Sequence, residues 1–347
     1  MPDSIDANSM TGSGRDVSVI ICAYTEERWQ QLIQAIRSVQ TQDPPPRELI
    51  VAIDHNPALL RRLEEAGTHV QVIDSTGPKG KSGALKTAID RATGSIIALL
   101  DDDAVAEPSW LAELTAGYGD AKVLGIGGHL EPVWPGPRPR WFPEEFLWVV
   151  GCTYRGMPRH RAIVRNLIGA NMSFRRNVYL RTEAFTDGPD HGRPELITAA
   201  RHSVGAASSR HGSDAGGHRL EDTEFCVRAS ALWPNGVWIY EPRARVRHHV
   251  PASRTRWSYF RSRCYVEGLA KALVAQVAGA REGLRTESRY TVRTLPVGVL
   301  RGVCDTVFRL DPYGIARSAS IIAGFAITAV GYARGALIVR NASAVSD

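Results

Sequence analysis

The sequence predicts an α/β protein built on a parallel sheet, followed by a helical extension. Three observations carry that prediction. Short apolar runs, VSVIIC, ELIVAI and SIIALL, alternate with segments whose apolar residues recur at helical spacing. Strands linked through helices run parallel and are covered on both faces, which explains why the runs are continuously apolar rather than alternating. Acids follow two of the runs directly, at Asp54 and at Asp101 to Asp103, where sheets of this kind gather their chemistry.

The elements follow in order. Residues 1–15 are polar and aperiodic, as a mobile tail is. Val17 to Cys22 predicts the first strand, and Trp29, Leu32, Ile33, Ile36 and Val39 predict the first helix. Pro44-Pro45-Pro46 closes that unit. Glu48 to Ile53 predicts a second strand, Leu59 to Ala66 a helix and Val70 to Ile73 a third strand. Ser82 is expected to cap a helix with an apolar face of Leu85, Ala88, Ile89 and Ala92, and Gly94 to stop it. Ser95 to Leu100 is the fourth strand, and Glu107-Pro108-Ser109 opens another helix. Glu131 to Trp148 carries three Trp among prolines and reads as an irregular lid or acceptor loop. A Gly, Ser and His-rich stretch, about 186–219, reads as a flexible insertion, and residues 269–340 as mostly helical. Ser318 to Ala333 is uncharged over 16 residues, short of the ~20 that span a bilayer, so a buried or interfacial helix is expected.

Composition narrows the function classes. A chain of 347 residues with 44% hydrophobic and 22% charged content is globular, neither collagen-like nor wholly disordered. Five scattered cysteines without a C-x-x-C pair, and no apolar leader, predict a reduced, cytosolic protein. The net charge of +6 is uneven: from Arg245 to Asp347 there are 16 Lys and Arg against 6 Asp and Glu. An anionic partner for that third is expected: a nucleotide diphosphate, a lipid headgroup surface or nucleic acid. A nucleic-acid module fits poorly, because repeated aromatic stacking positions and zinc-finger spacing are both missing.

Four constellations carry candidate chemistry. Asp101, Asp102 and Asp103 at a strand end repel one another, and a divalent cation, Mn2+ or Mg2+, would neutralise them; a solvated acidic loop is the bland alternative. GPKGKSGALK, Gly77 to Lys86, has the glycines, lysines and helix start of an anion cradle, but equally of a basic turn. Glu221-Asp222 precedes an apolar helical pattern, where Asp222 is either a general base or a residue favoured by the helix dipole. Arg243 to Arg263 gathers cations with His248 and His249, suited to a diphosphate or to completing a metal shell, or else to a solvated basic face or an interfacial patch for anionic lipid.

The order of these pieces, from CAYTEER through DDD and GANMSFRR to ED and a late His, resembles the family 2 glycosyltransferases over about residues 16–265. The resemblance implies a GT-A fold, a Rossmann-like, mostly parallel sheet flanked by helices. It implies a nucleotide-binding half over 16–130 and an acceptor half over 131–265. The helical extension over 266–347 lies outside the likeness; its net positive charge and the apolar Ile321 to Ile338 region suit docking on an anionic membrane face, the rival being packing against the catalytic domain or a second subunit. Ala23, Tyr24, Glu26 and Asp54 match positions that hold the nucleotide, with Lys81 near the base or phosphates. Asp101 is implied toward the ribose, Asp103 toward the metal and diphosphate, with Asp102 between them and His248 as a further metal ligand. Asn171 lies in the segment lining the donor-sugar and acceptor pocket, and Asp222, beside Glu221, matches the base. Arg254, Arg256 and Trp257 fall where processive members carry Q-x-x-R-W; Ser253 in the Gln place implies one sugar, or a few, per encounter.

The implied activity is inverting transfer of a sugar, from a UDP-sugar above other nucleotide sugars, to a hydroxyl of a saccharide or lipid-linked acceptor. The protein would work in the cytoplasm, peripherally on the inner membrane face through its C-terminal helices. Two alternatives share the fold: a sugar-nucleotide nucleotidyltransferase and a non-catalytic sugar-nucleotide-binding protein. The first usually opens with a glycine-rich signature that CAYTEER lacks. A dinucleotide oxidoreductase is disfavoured because Gly125-Ile126-Gly127-Gly128 opens no convincing helix.

Overall fold

The computed structural model describes residues 16–182, 218–278 and 289–345, so the expected tail and nearly all of the expected insertion lie outside it. The described residues form two compact units. The first is drawn from Met1–Glu131, Pro158–Asp187 and Glu221–His249, the second from Pro132–Met157, Gly188–Leu220 and Val250–Asp347. Residues 132–157 and 250–265 of the expected acceptor half thus group with the C-terminal helices, whereas 158–182 and 221–249 group with the sheet.

The first unit is organised by a nine-stranded sheet: β1 (Val17–Ala23), β2 (Glu48–Ile53), β3 (Gln71–Asp74), β4 (Ile96–Asp101), β5 (Ala104–Ala106), β6 (Val123–Val133), β7 (Ala162–Val164), β8 (Asn171–Arg175) and β9 (Val237–His249). Their order is β3-β2-β1-β4-β8-β6-β9-β5, with β7 also on β9. The strands β3, β2, β1 and β4 run parallel, while β8 pairs antiparallel with β4 and β6, and β9 antiparallel with β5 and β7. β1 lies between two strands and beneath helices, so an uninterrupted VSVIIC is what its surroundings require.

Helices α1 (Trp29–Gln40), α2 (Pro57–Glu65), α3 (Lys81–Arg91), α4 (Trp110–Thr115), α5 (Arg176–Thr182) and α6 (His218–Leu232) complete this unit. On α1, Leu32, Ala35, Ile36 and Val39 are buried at the i, i+3, i+4, i+7 spacing of one face. Asn56 caps α2, accepting the Leu59 N–H at 3.0 Å, with Pro57 in the first turn where no partner is lost. Ile20, Ile50, Ile97 and Leu99 of the sheet pack with Ala84, Leu85, Ala88 and Ile89 of α3 and with Phe174, Phe225 and Trp238. Each fully buried aliphatic there contributes about 1.5–3 kcal/mol against exposure.

Three expectations need correction. Ser82 does not cap α3; Gly80 does, at φ 126, a conformation in which a Cβ would be strained. Glu131 to Trp148 is more regular than its prolines indicate: β6 runs to Val133, and Glu144–Val150 forms a 3-10 helix. Asp222 is not at a helix start, because α6 begins at His218. β8 and α5 escape a periodicity reading, since β8 buries Asn171, Ser173 and Arg175 and buried polar residues mask its apolar alternation.

Strand register positions the candidate site. Cys22 lies opposite both Ala52 and Asp101, and Ala23 opposite Ile53, so β1, β2 and β4 end level and release Asp54 and Asp101 at one edge. Ala104 lies opposite His248, and the His249 N–H donates to the Asp103 carbonyl at 2.8 Å, which brings β9 to the same acids.

The second unit contains α7 (Trp257–Ala278), α8 (Leu295–Phe308) and α9 (Tyr313–Val345). Trp141, Phe142, Phe146, Trp257 and Phe260 form an aromatic cluster with ring centroids 5.0–5.6 Å apart. Buried Glu145 is neutralised by Arg301 of α8 at 3.0 Å.

Candidate active site

The acids at the end of β4 meet cations supplied by the protein itself. Lys81 Nζ, on the first turn of α3, is 2.5 Å from Asp101 Oδ1. Arg28 Nη1 lies 2.8 Å from Asp102 Oδ1 and 3.1 Å from Asp103 Oδ2. His248 Nε2 is 3.3 Å from Asp103 Oδ1, both side chains being almost fully buried. Asp101, Asp103 and His248 offer ligand atoms that all lie within 4.8 Å of one another, a spacing that can hold a metal ion. His248, not His249, supplies the imidazole of this group.

The repulsion expected of three adjacent carboxylates is therefore partly answered without an ion. Burial alone would raise the Asp101 carboxyl, but Lys81 outweighs it and holds Asp101 below the usual carboxylate range. The Lys81 ammonium is disfavoured by burial, yet Asp101 and then Asp222 hold it well above the ordinary lysine value. Asp102 goes the other way. Its burial, with the charges of Asp103 and Asp101, overcomes Arg28 and pushes its carboxyl up to about 7. Asp102 Oδ2 is buried without a hydrogen-bond partner, so the protein's own cations leave this acid incompletely satisfied.

The phosphate-cradle candidate folds as a tight turn onto α3. Both oxygens of buried Asp54 accept the Gly80 N–H, at 3.0 and 2.9 Å, and Asp54 also meets His55 Nδ1 at 2.9 Å. Asp54 thus braces the turn as well as lining the strand-end edge. Ala23 is buried and contributes its carbonyl to the Asp54 N–H at 2.8 Å. Tyr24 is 46% exposed, with the Arg28 guanidinium 5.4 Å from its ring centre. Glu26 is exposed and pairs with Arg62 at 3.5 Å.

Asp222 is buried, and its Oδ2 accepts the Gly169 N–H at 2.9 Å. Its charge acts on Lys81, which joins it electrostatically to the Asp101 group. Asn171 belongs elsewhere. Its side chain is wholly buried, accepts Trp110 Nε1 at 2.8 Å and donates to the carbonyls of His129 and Ala244 at 3.0 and 2.9 Å. Those bonds tie α4, β6 and β9 together, so Asn171 shapes the scaffold instead of facing a ligand. The Glu221 side chain lies outside the described residues. Arg254, Arg256 and Trp257 are in the second unit, at a 3-10 turn and the start of α7; Trp257 stacks on Phe260 at 5.0 Å, and Arg254 lies 6.0 Å from the Tyr259 ring centre.

Sequence reasoning missed Arg28. The signal was its place in CAYTEER, a few residues past the first strand, but which acid a long cation meets depends on the 3-10 turn Glu26–Arg28 that carries it.

Residues 18–181, the span holding β1 to β4, the acidic run and β8, match the family model described as Glycosyl transferase family 2. Those residues carry a family 2 glycosyltransferase domain. The chain is 29% identical over 262 residues to a glucosyl-dolichyl phosphate glucuronosyltransferase of Haloferax volcanii, an alignment covering 74% of this chain and 77% of that protein. Glycosyltransferase AglE of the same organism is 28% identical over 131 residues, 36% of this chain and 43% of AglE. Among solved structures, a mannosyltransferase from Pyrobaculum calidifontis in complex with GDP-Man and Mn2+ matches with a TM-score of 0.50. That match covers 91% of this chain and 87% of the other at 18% identity, and it supports the fold alone. The fold is GT-A, and the protein is a glycosyltransferase.

Proposed function

We propose that the protein is an inverting glycosyltransferase that takes a nucleotide-sugar donor, holds it through a divalent cation and transfers the sugar to a lipid-linked acceptor. The supporting observation is the continuity of one cluster: Asp222 acts on Lys81, Lys81 contacts Asp101, and Asp101 shares ligand distance with Asp103 and His248. A base and a cation-holding set stand together in one unit.

The carboxylate and imidazole donors fit Mn2+ better than Mg2+, which favours all-oxygen surroundings. A divalent cation bound there supplies positive charge against the leaving diphosphate. Lys81, kept charged by its acids, adds a fixed cation beside it. Asp222 accepts the proton of the acceptor hydroxyl as that oxygen bonds to the anomeric carbon. The bond from that carbon to the diphosphate oxygen breaks, the nucleoside diphosphate leaves with the electron pair, and the configuration inverts. Asp54 and Tyr24 border the nucleotide end of the same edge.

The name of the Haloferax relative supports a lipid-linked acceptor, and the second unit supports contact with a membrane surface. Val297, Leu300, Val303 and Val307 expose an apolar stripe on α8, Phe308 and Leu310 at its end are 81% and 83% exposed, and Ile315, Ile322 and Phe325 continue along α9. Among the described residues, one helix, Tyr313–Ile338, is long and apolar enough to cross a membrane. α9 also packs its other face, through Ser318 and Ile321, so an interfacial position on the cytoplasmic leaflet suits it better than a span. Mixed exposed arginines, such as Arg309 at 78%, suit anionic headgroups.

A donor screen by thermal shift tests the core of this reading. UDP-, GDP- and dTDP-sugars are compared with and without Mn2+. Stabilisation by one donor class only when the cation is present is expected; cation-independent binding, or none by any donor, would contradict it.

A further inference from the structure

We infer that Arg28 is a displaceable counter-ion, holding Asp102 and Asp103 when no divalent cation is bound and passing to a phosphate oxygen of the nucleotide when one is. This rests on the cation site proposed above. Arg28 and the cation draw on the same carboxylate: Arg28 Nη1 is 3.1 Å from Asp103 Oδ2, while Asp103 is also a member of the group with Asp101 and His248. A guanidinium in contact with that acid repels an arriving divalent ion and competes for it.

The grip is of a kind that releases. One nitrogen, Nη1, spans both acids, instead of the two-nitrogen fork on one carboxylate that makes arginine pairs strong. The side chain is 22% exposed, it hangs from the short turn Glu26–Arg28, and it lies against the ring of half-exposed Tyr24, so it can swing without unpacking the core. Charge bookkeeping gives the direction. Asp101, Asp102, Asp103 and, through Lys81, Asp222 face Lys81 and Arg28, a deficit of two positive charges. A divalent cation cancels that deficit, so the acids draw in no further positive charge and the released guanidinium turns to the arriving diphosphate as a bidentate phosphate ligand.

The Arg28→Gln variant is the test, because the inference gives its two binding constants opposite signs. Mn2+ binding without nucleotide, read by electron paramagnetic resonance, is expected to tighten about tenfold as the competitor is removed. UDP or GDP binding at saturating Mn2+, read by calorimetry, is expected to weaken about tenfold as a phosphate ligand is lost. A merely structural role would weaken both. Mn2+ binding equal to or weaker than wild type overturns the inference while leaving the cation site standing, and unchanged nucleotide binding overturns its second half. Wild-type protein that binds no Mn2+ removes the cation reading and the inference with it. Should Arg28→Gln not fold, the wild-type Arg28 Nε–Hε resonance serves: Mg2+, at a concentration that displaces bound Mn2+, is expected to shift it and speed its exchange with water, and an unmoved resonance at that concentration overturns the proposal.

Discussion

Asp222 is held by a contact that leaves little latitude. Its carboxylate fills the space where a Cβ on Gly169 would stand: that atom would fall 2.2 Å from Oδ2, which also takes the Gly169 N–H. Gly169→Ala should therefore displace the proposed base without touching the cation group. The expected result is kcat lowered tenfold or more, with donor affinity within about twofold of wild type, measured by initial rates and calorimetry; equal losses in both would mean a general disturbance. At this scale the acids were legible, because a charge directly after an apolar strand has few bland explanations. Asn171 was not, since a polar residue inside a motif looks the same whether it faces a ligand or, as here, bonds Trp110 and two carbonyls in the core.

The turn into α3 shows local propensity losing to packing. Alanine is normally better than glycine inside a helix by about 1 kcal/mol. At Gly83, in the first turn of α3, an added Cβ would lie 1.9 Å from the Pro78 carbonyl oxygen, so the turn itself would have to open. Gly83→Ala is expected to destabilise the fold by about 2 kcal/mol in denaturant melts, in line with overpacking elsewhere; a gain would show that the turn yields. Helix α3 was legible from its apolar spacing, but its cap was not. Ser82 has the right chemistry one residue inside the helix, whereas Gly80 takes the position because the chain there needs a positive φ and Asp54, from another strand end, accepts its N–H. Partners that arrive from distant sequence are invisible to local rules.

Across the whole molecule the charge division and the two units coincide only in part. The basic C-terminal third includes the end of β9, which belongs to the sheet and brings His248 to the acids, as well as α7 to α9. The parallel half of the sheet was legible from its alternating runs, while the antiparallel half was legible only where VWIYEP opens β9, because β8 carries buried polar and charged residues within its run. The exposed apolar stripe of α8 with Phe308 and Leu310 is expected to bring the full chain to the top of a flotation gradient with anionic vesicles. Raising the salt should weaken that binding, and Phe308→Ser with Leu310→Ser should lose most of it. Protein that stays at the bottom with anionic vesicles would confine membrane contact to the acceptor.

The central claim is that Asp222 acts as base beside a cation-held donor, and Asp222→Asn tests it most directly, because the substitution keeps size while removing the proton affinity and the charge that acts on Lys81. Transfer from the donor found by the thermal screen, followed by mass spectrometry, should fall about 10²–10⁴-fold with donor affinity retained; transfer at the wild-type rate would contradict the account.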